Sequence, residues 1–520
     1  MEAAQAFTDA LNLIDAAGGT GSEGSSSLLR QAITLMNNRS AMYEKGHMPE
    51  LALEDCISIL DKEVQHTKAR TRKLRILEGL KRWNEALVEV CAVQLLFMQT
   101  NRTKLRMGLP VPPPPVPQSK MEEILMEIIP AVEEEYITAI KEAGNDRPLP
   151  SAYTILQLLK SYVGYNAWMA VAAKGGSIDK ISAALTAADT NAAKACILMK
   201  RGRRFVYDRN YVLATNDFEA AFMLVETSTE TQAAMENDDY ARLLEWTGMA
   251  RHWHYDLDGA LVCYEKCATI EPKNALIPVK QAGVQMDAGK HVEALALFET
   301  ALGIDSSAVD ALLHRSNLRM LQAKAEEAKN DLERCLEIRP NHVMARLRLA
   351  SIMAATENAA GAKEQLDMAE KVEPNSSEVQ SYRGELFFTQ GEMEEARKQF
   401  EKAMKLEPTN PTPYVNAAMA LLNTQPPAGQ IPDAAGVMSL LEKAIEVDPQ
   451  FTAAYIQLGQ LKLGTAQDLT AAREVVVLYD TGLKNCRSPE EIKELCSMRT
   501  LAEAQVEAAA MLKMETFNMQ

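Results

Sequence analysis

Three polar residues in the N-terminal part of the sequence have the types and spacing that bind a carboxylate. Lys68 and Arg72 lie one helical turn apart in a segment with helical periodicity, and Asn38 belongs to the predicted helix before it. Lysine and arginine make charge-assisted hydrogen bonds to carboxylates, and an asparagine amide can hold a main-chain group. The sequence therefore predicts that Asn38, Lys68 and Arg72 could converge on the C-terminus of a bound peptide.

The same segment has a second interpretation. It is rich in basic residues, which could form an ordinary solvated helix face: Lys68, Arg70, Arg72, Lys73 and Arg75. Lysine and arginine side chains are usually exposed. Spacing alone is compatible with both interpretations.

No pattern in the sequence indicates catalysis or a cofactor. The motifs HExxH, GxSxG and GxGxxG followed by a helix are missing. Cys263 and Cys267 lie one helical turn apart but have no histidine at zinc-ligand spacing, so we expect small buried thiols there. We predict a protein that is not an enzyme and that holds neither a cofactor nor a metal.

A period of 34 residues identifies the elements that position these side chains. The small residue of the period recurs as Ala260, Ala294, Ala328, Ala362 and Ala396, and a bulky apolar residue follows each after four positions as Tyr264, Phe298, Leu332, Leu366 and Phe400. A second small residue comes twelve positions before each alanine. This is the tetratricopeptide signature, in which small residues let two antiparallel helices approach. We predict an all-α solenoid with right-handed superhelical twist, more than about 60% helical, in two arrays.

Composition restricts the partners. The 520 residues carry a formal net charge of −16, which disfavours a nucleic-acid partner because phosphate binding needs a basic surface. A cationic partner is easier to accommodate, although solubility alone also explains an acidic balance. The sequence has no secretory signal and no apolar run of membrane-spanning length, so we expect a soluble chain with no membrane span.

A proline-rich segment suggests the domain boundary. Residues Pro110 to Pro117 read PVPPPPVP, which is typical of a stiff spacer or, alternatively, of a ligand for an SH3-type domain. We predict an N-terminal array at 1–108, a linker at 109–120, a C-terminal array at 121–488 and a capping helix with tail at 489–520. Long helices are expected from Met121 to Ala143 and from Ala152 to Ala172. The Gly/Ser-rich stretch Gly18 to Ser27 is expected to be a loop.

The start of the chain falls inside a repeat. Ala52 and Ala86 are again 34 residues apart, and Ala3 with Phe7 and Ala10 matches the second helix of an earlier repeat. A second helix without its partner would leave an apolar face uncovered. We therefore expect a first helix to precede Met1.

Several segments together resemble one known family. NNRSAMYEKG (Asn37 to Gly46), the following LALEDC and KARTRKLRILEGLKRWNEAL, the proline spacer, and LCSMRTLAEAQVEAA (Leu495 to Ala509) occur in the order found in the 70-kilodalton receptors of the mitochondrial outer-membrane translocase. HRSNLRMLQAKAEEAKNDLERCLEIRP (His314 to Pro340) also matches. The resemblance covers most of the chain, although each repeat segment alone would match many tetratricopeptide proteins.

The resemblance implies a receptor on the cytosolic face of the mitochondrial outer membrane. Such a receptor takes mitochondrial precursor proteins from heat-shock chaperones, whose tails end in Glu-Glu-Val-Asp, and passes them to other translocase subunits. Asn38, Lys68 and Arg72 match the family's clamp for that tail. The other clamp residues and the membrane anchor of the family have no counterpart in this sequence, so chaperone docking is the weaker expectation.

The resemblance also implies a precursor-binding groove in the C-terminal array. Import signals are commonly basic amphipathic helices, for which an acidic groove with an apolar floor is the match. By alignment with the family, Glu378 is the predicted groove residue, with Arg315 and Arg319 beside it; the alternative is that all three are ordinary surface charges. The competing function is a soluble tetratricopeptide co-chaperone or assembly scaffold.

Overall fold

The protein is almost entirely helical. The computed structural model describes residues 2–16, 26–142, 147–424 and 433–514. In these ranges 80% of the residues are α-helical and no strand occurs. The predictions of an all-α chain and of more than about 60% helix are confirmed. The predicted loop from Gly18 to Ser27 lies almost entirely outside the described residues.

The helices belong to two compact units, which are interleaved along the sequence. The first unit comprises Met1–Asn145, Tyr455–Lys484 and Pro489–Gln520, and the second comprises Asp146–Ala454 and Asn485–Ser488. The first unit begins with α1 (Glu2–Ala16), α2 (Ser26–Lys45), α3 (Pro49–Lys62), α4 (Thr67–Gly79), α5 (Trp83–Arg106) and α6 (Ser119–Glu142).

The second unit starts with irregular helices and continues with regular pairs. The irregular part consists of α7 (Ala152–Lys160), α8 (Tyr165–Lys174), α9 (Ile178–Ala187), α10 (Asn191–Tyr207), α11 (Tyr211–Glu226) and α12 (Thr229–Ala233). The pairs are α13 (Asn237–Trp253) with α14 (Leu257–Ile270), α15 (Leu276–Asp287) with α16 (His291–Ile304), α17 (Val309–Leu321) with α18 (Ala325–Ile338), α19 (Val343–Ala355) with α20 (Ala359–Val372), α21 (Ser377–Thr389) with α22 (Met393–Leu406), and α23 (Thr412–Asn423) with α24 (Ala434–Val447).

Three helices complete the chain, and almost all of their residues belong to the first unit. They are α25 (Thr452–Thr465), α26 (Leu469–Leu483) and α27 (Pro489–Met511). Helix α27 packs against α26, α5 and α6.

The 34-residue period produces the helix pairs by close packing of a small residue against a bulky apolar side chain, which is an aromatic ring in some of the pairs. A Cβ atom at Gly248 of α13 would lie 2.7 Å from Cε1 of Tyr264 in α14, and one at Gly384 of α21 would lie 2.5 Å from Cε1 of Phe400 in α22. Both distances are below van der Waals contact, so only glycine lets the ring lie flat on the first helix. The predicted tetratricopeptide pairs are confirmed from α13 to α22.

The turn within each pair also follows the period. One residue takes a positive φ angle at the same place in five successive pairs, and the five are Tyr255, Gly289, Ala323, Glu357 and Gly391. The next helix then begins, in two cases with a side-chain cap from Asp256 or Asn358. Left-handed backbone reverses the chain in the fewest residues, and it does so here even where the residue is not glycine.

The division into units differs from the predicted domain boundaries. The proline-rich segment connects α5 to α6, which pack together within the first unit, and Val116 in it is buried. Residues 455–484 and the terminal helix, which we predicted to extend and cap the C-terminal array, belong to the first unit. The physical reason is the packing of α27 on α5 and α6, a contact between opposite ends of the sequence.

The prediction of one long helix from Ala152 to Ala172 is wrong, because the helix is interrupted. Helix α7 ends at Lys160, and α8 begins at Tyr165. Between them the backbone N–H of Val163 donates to Oδ1 of Asp310 at 2.8 Å instead of to a carbonyl within the helix. A contact with a distant helix therefore takes the place of the local hydrogen bond.

Candidate functional site

The predicted carboxylate clamp lies on α2 and α4 of the first unit, and Arg72 in it already has partners. Its Nη1 donates to the carbonyl oxygen of Asn37 at 2.7 Å and to the side-chain oxygen of the same residue at 2.8 Å. Its Nε lies 3.3 Å from Oε2 of Glu44. A peptide carboxylate that binds Nη1 of Arg72 would have to replace the two oxygens of Asn37.

The other two predicted clamp residues are exposed. Asn38 and Lys68 both face solvent, and in the described part of the chain Lys68 makes no ion pair. The alternative, a basic helix face that is solvated throughout, does not hold for two of its five residues. Arg70 is fully buried 2.8 Å from Glu89, and Lys73 lies 2.7 Å from the same carboxylate. Carboxylate binding by Asn38, Lys68 and Arg72 stays a prediction.

Arg315 and Arg319 form ion pairs inside one repeat of the second unit. Arg315 on α17 makes two hydrogen bonds, of 2.9 and 2.6 Å, to the carboxylate of Asp331 on α18. Nη1 of Arg319 lies 2.7 Å from the same carboxylate. These contacts join the first helix of the repeat to the second, and neither arginine lines the cleft described below.

Glu378 lies on a different surface. We call it the first-helix face: the side of the second unit formed by the first helices α13, α15, α17, α19 and α21. Oε1 of Glu378 accepts a hydrogen bond from Nε2 of Gln157 at 2.9 Å, and its Oε2 accepts one from Oγ of Ser376 at 3.0 Å. Of the three predicted groove residues, Glu378 is thus the one placed at this face.

The partner of Glu378 belongs to a segment that lies along the first-helix face. We call residues Ser151–Trp168 the strap; it consists of α7, the turn after it and the beginning of α8. The strap contacts α21 through Gln157 and α17 through Val163, while its Trp168 meets the ring of Trp246 on α13 with centroids 5.9 Å apart. The strap therefore occupies the surface where an extended ligand of a tetratricopeptide array would bind.

A cleft of about 340 Å³ remains open beside the strap. The strap forms one wall, and the start of α19 with the residues before α19 and α21 forms the other. The charged residues that line it are Lys160, Arg339, Glu373 and Glu378, two of each sign. The cleft is therefore not acidic, in contrast to the groove expected from the sequence.

Burial controls the ionisation of the groups near the strap. Burial, together with the positive charge of Arg348, lowers the pKa of His314 to about 3, and that of His342 to about 4 for the same two reasons. Burial raises the pKa of Asp310, which accepts the main-chain hydrogen bond of the strap. The two histidines are therefore neutral at pH 7 and add no positive charge to this surface.

The strap is the functional feature that sequence reasoning missed. Its signal was present: Tyr162, Val163 and Gly164 follow a nine-residue apolar helix, and a β-branched residue next to a glycine favours a helix break. The position of the strap on the first-helix face depends on distant partners, which no local pattern encodes.

The described residues contain neither a candidate metal site nor a candidate membrane-spanning helix. In the described ranges no group of three or more potential metal ligands occurs. None of the described helices combines the length and apolar character needed to cross a bilayer.

Comparison with known proteins supports the fold. Residues 275–423 match the model of the tetratricopeptide repeat-like domain, whereas no curated protein matches the chain. Among solved structures, the chain is similar to the crystal structure of yeast Tom70, with a TM-score of 0.52 and 19% identity over 96% of this chain and 95% of that one.

Other solved structures are similar over shorter parts of the chain. A tetratricopeptide repeat protein from Parabacteroides merdae ATCC 43184 has a TM-score of 0.39 and 19% identity, over 51% of this chain and 99% of that one. The first repeat domain of Spaghetti (RPAP3), bound to the HSP90 peptide SRMEEVD, has a TM-score of 0.22 and 30% identity, over 23% of this chain and 96% of that one. The match over residues 275–423 and the similarity to yeast Tom70 show that the chain has a tetratricopeptide solenoid fold.

Proposed function

We propose that this protein is a receptor for mitochondrial precursor proteins. It binds their import signals on the first-helix face of the second unit and hands the precursors to the outer-membrane translocase from the cytosolic side. The similarity in fold to yeast Tom70 over 96% of the chain and the order of the sequence segments described above support the proposal.

The observation that carries the proposal is a helix seated on the first-helix face. The strap contributes α7, which lies on this face through apolar side chains and through the hydrogen bond from Gln157 to Glu378. A surface that accepts one short apolar helix has the shape for another. Helix-in-groove binding of this kind suits amphipathic import signals.

Charge selects among such helices. Glu378 offers a carboxylate on the first-helix face, and the net charge of −16 attracts basic peptides at longer range. Apolar contacts supply most of the affinity, and the carboxylate favours a ligand with a basic side. Binding is therefore expected to weaken only moderately with salt.

The proposal is tested by titrating the protein with two fluorescent peptides, a basic amphipathic import signal and a neutral amphipathic helix of equal length. Glu378→Lys is expected to lower the affinity for the basic peptide, relative to that for the neutral one, about five- to tenfold. The matched control is Glu337→Lys, an equal charge change at an exposed position of the second helix α18.

Other results decide against the proposal. Equal effects of Glu378→Lys and Glu337→Lys would place the ligand elsewhere on the molecule. If neither peptide binds the unaltered protein, the role of soluble co-chaperone or assembly scaffold becomes the better interpretation.

A further inference from the structure

The strap occupies the surface to which we assign ligand binding. We propose that the strap is an intramolecular ligand of the first-helix face: a partner helix binds by displacing it, and the best partner has the strap's own pattern, a short apolar helix followed by aromatic residues. The inference rests on the proposed function for the identity of the site. It adds the way access to the site is regulated.

The helix of the strap is held by apolar contacts. Ile155 and Leu159 are fully buried and share one hydrophobic cluster with Trp246 on α13 and Val284 on α15. A helix of nine residues is marginal by itself in water, so docking on the first-helix face stabilises α7. A partner helix with apolar residues at the same spacing could bury the same surface.

The aromatic end of the strap covers a charged pair of the face. Nζ of Lys280 on α15 lies 4.9 Å from the ring centre of Trp168 and 5.5 Å from that of Tyr162, and it is hydrogen bonded to Oε1 of Glu245 on α13 at 2.5 Å. The strap therefore closes an aromatic cage over a buried ammonium group. A partner without aromatic residues would leave this cation partly uncovered. We therefore expect aromatic residues to follow the apolar helix of the best partner.

Few polar contacts fasten the strap. In addition to the hydrogen bond of Gln157, the N–H of Val163 donates to Asp310 at 2.8 Å, and Oγ of Ser161 lies 3.4 Å from Nε2 of His314. The ring of Tyr162 packs on that of His314 at 5.0 Å. An incoming peptide carries main-chain N–H groups and side chains that can replace each of these contacts.

The strap does not seal the face. Ala152, Thr154 and Lys160 are exposed, and the cleft of about 340 Å³ runs between the strap and α19. A ligand can begin to bind at this cleft, next to Glu378, before the strap leaves. Because the strap is part of the same chain, it competes at a high effective concentration and raises the ligand concentration needed for binding.

Hydrogen exchange of the full-length protein tests the displacement. The probes are the basic import-signal peptide and a synthetic peptide with the strap sequence SAYTILQLLKSYVGYNAW. At saturation with either peptide, the amides of α7 are expected to exchange at least about tenfold faster, whereas those of α17 and α21 are expected to exchange more slowly. Unchanged or slower exchange of α7 in the presence of bound peptide would show that the strap is a permanent part of the fold, and the proposal would be wrong.

Two variants measure the competition directly. Gln157→Ala removes one hydrogen bond of the strap to a carboxylate, so the strap peptide is expected to bind up to about tenfold more tightly. The control Thr154→Ala, at an exposed position of the same helix, is expected to leave the affinity unchanged. Equal affinities of the two variants would contradict the competition.

A locked form separates this inference from the proposed function. The double variant Gln157→Cys with Glu378→Cys, joined by a flexible bismaleimide, is expected to lose binding of both peptides, and the same variant without the linker to keep binding of the strap peptide. If the linked form binds as well as the unlinked one, the strap inference fails while the receptor function stands. If the strap peptide binds the unaltered protein but the import signal does not, the receptor function fails while the strap inference stands.

Discussion

The arginine that comes immediately before the small residue of a first helix has the same partner in three repeats. Arg39, Arg201 and Arg315 each pair with the aspartate sixteen residues later, in the second helix of the repeat. A recurring pair at one repeat position indicates a structural role, because ligand contacts would differ between repeats. Arg315, which resemblance suggested for the groove, is thus better explained as a link between α17 and α18.

Replacement of Arg315 is expected to reduce stability and to leave peptide binding unchanged. Arg315→Met removes two charge-assisted hydrogen bonds from Asp331, whose side chain is only 4% exposed, and should lower the free energy of unfolding by about 2 kcal/mol. Denaturant unfolding followed by circular dichroism, together with peptide titration, measures both effects. The control Arg397→Met breaks pairs of partly exposed side chains and should cost less than about 1 kcal/mol. Loss of peptide binding at normal stability would return Arg315 to the binding site.

Helix pairs are the elements that the sequence encodes most clearly. The spacing of small and bulky residues predicted the pairs from α13 to α22, because the packing of each pair is local and repeats every 34 residues. The break between α7 and α8 was not predictable in the same way. It depends on Asp310, which accepts the N–H of Val163 from 147 residues away.

In three of the five turns inside the pairs, at Tyr255, Ala323 and Glu357, a residue with a Cβ atom adopts the left-handed backbone. Glu357 has φ of 60° in the turn before α20 and no ion pair among the described residues. Left-handed backbone costs about 1 kcal/mol for a residue with a Cβ atom, and glycine adopts it freely. The backbone conformation of Glu357 therefore lowers the free energy of unfolding of this repeat.

Two equal substitutions in one repeat should have opposite effects. Glu357→Gly relieves the turn and is expected to stabilise the repeat by about 0.5 kcal/mol, because the greater freedom of glycine in the unfolded chain offsets part of the gain. Glu364→Gly, in the middle of α20 at an exposed position, should destabilise it by about 1 kcal/mol. Both variants remove one negative charge, so a difference in their thermal midpoints reports backbone conformation. Midpoints that shift equally in the same direction would contradict the explanation.

At the scale of the whole molecule, the compact units do not correspond to continuous stretches of sequence. Composition and the proline segment suggested a boundary near residue 109, but the first unit also takes up residues 455–484 and 489–520. The contact between Arg70 on α4 and Met511 at the end of α27 spans 441 residues. Tertiary packing between such distant helices leaves no periodic signal, so neither this division nor the strap could be inferred from spacing.

The terminal helix is therefore expected to stabilise the beginning of the chain. Helix α27 buries Ile492, Leu495, Val506 and other apolar residues and packs against α5, α6 and α26. Truncation after Ser488 should expose the apolar faces of these three helices, and their amides should exchange hydrogen at least about tenfold faster, because burial of apolar surface supplies most of the stability of a helix pair. Exchange in α15 to α22 should stay as it is, since those helices belong to the second unit. A control truncation after Met514 keeps α27 and should leave all of these rates unchanged. Faster exchange in α23 and α24 with no change in α5 and α6 would instead support the prediction from the sequence, that α27 caps the C-terminal array.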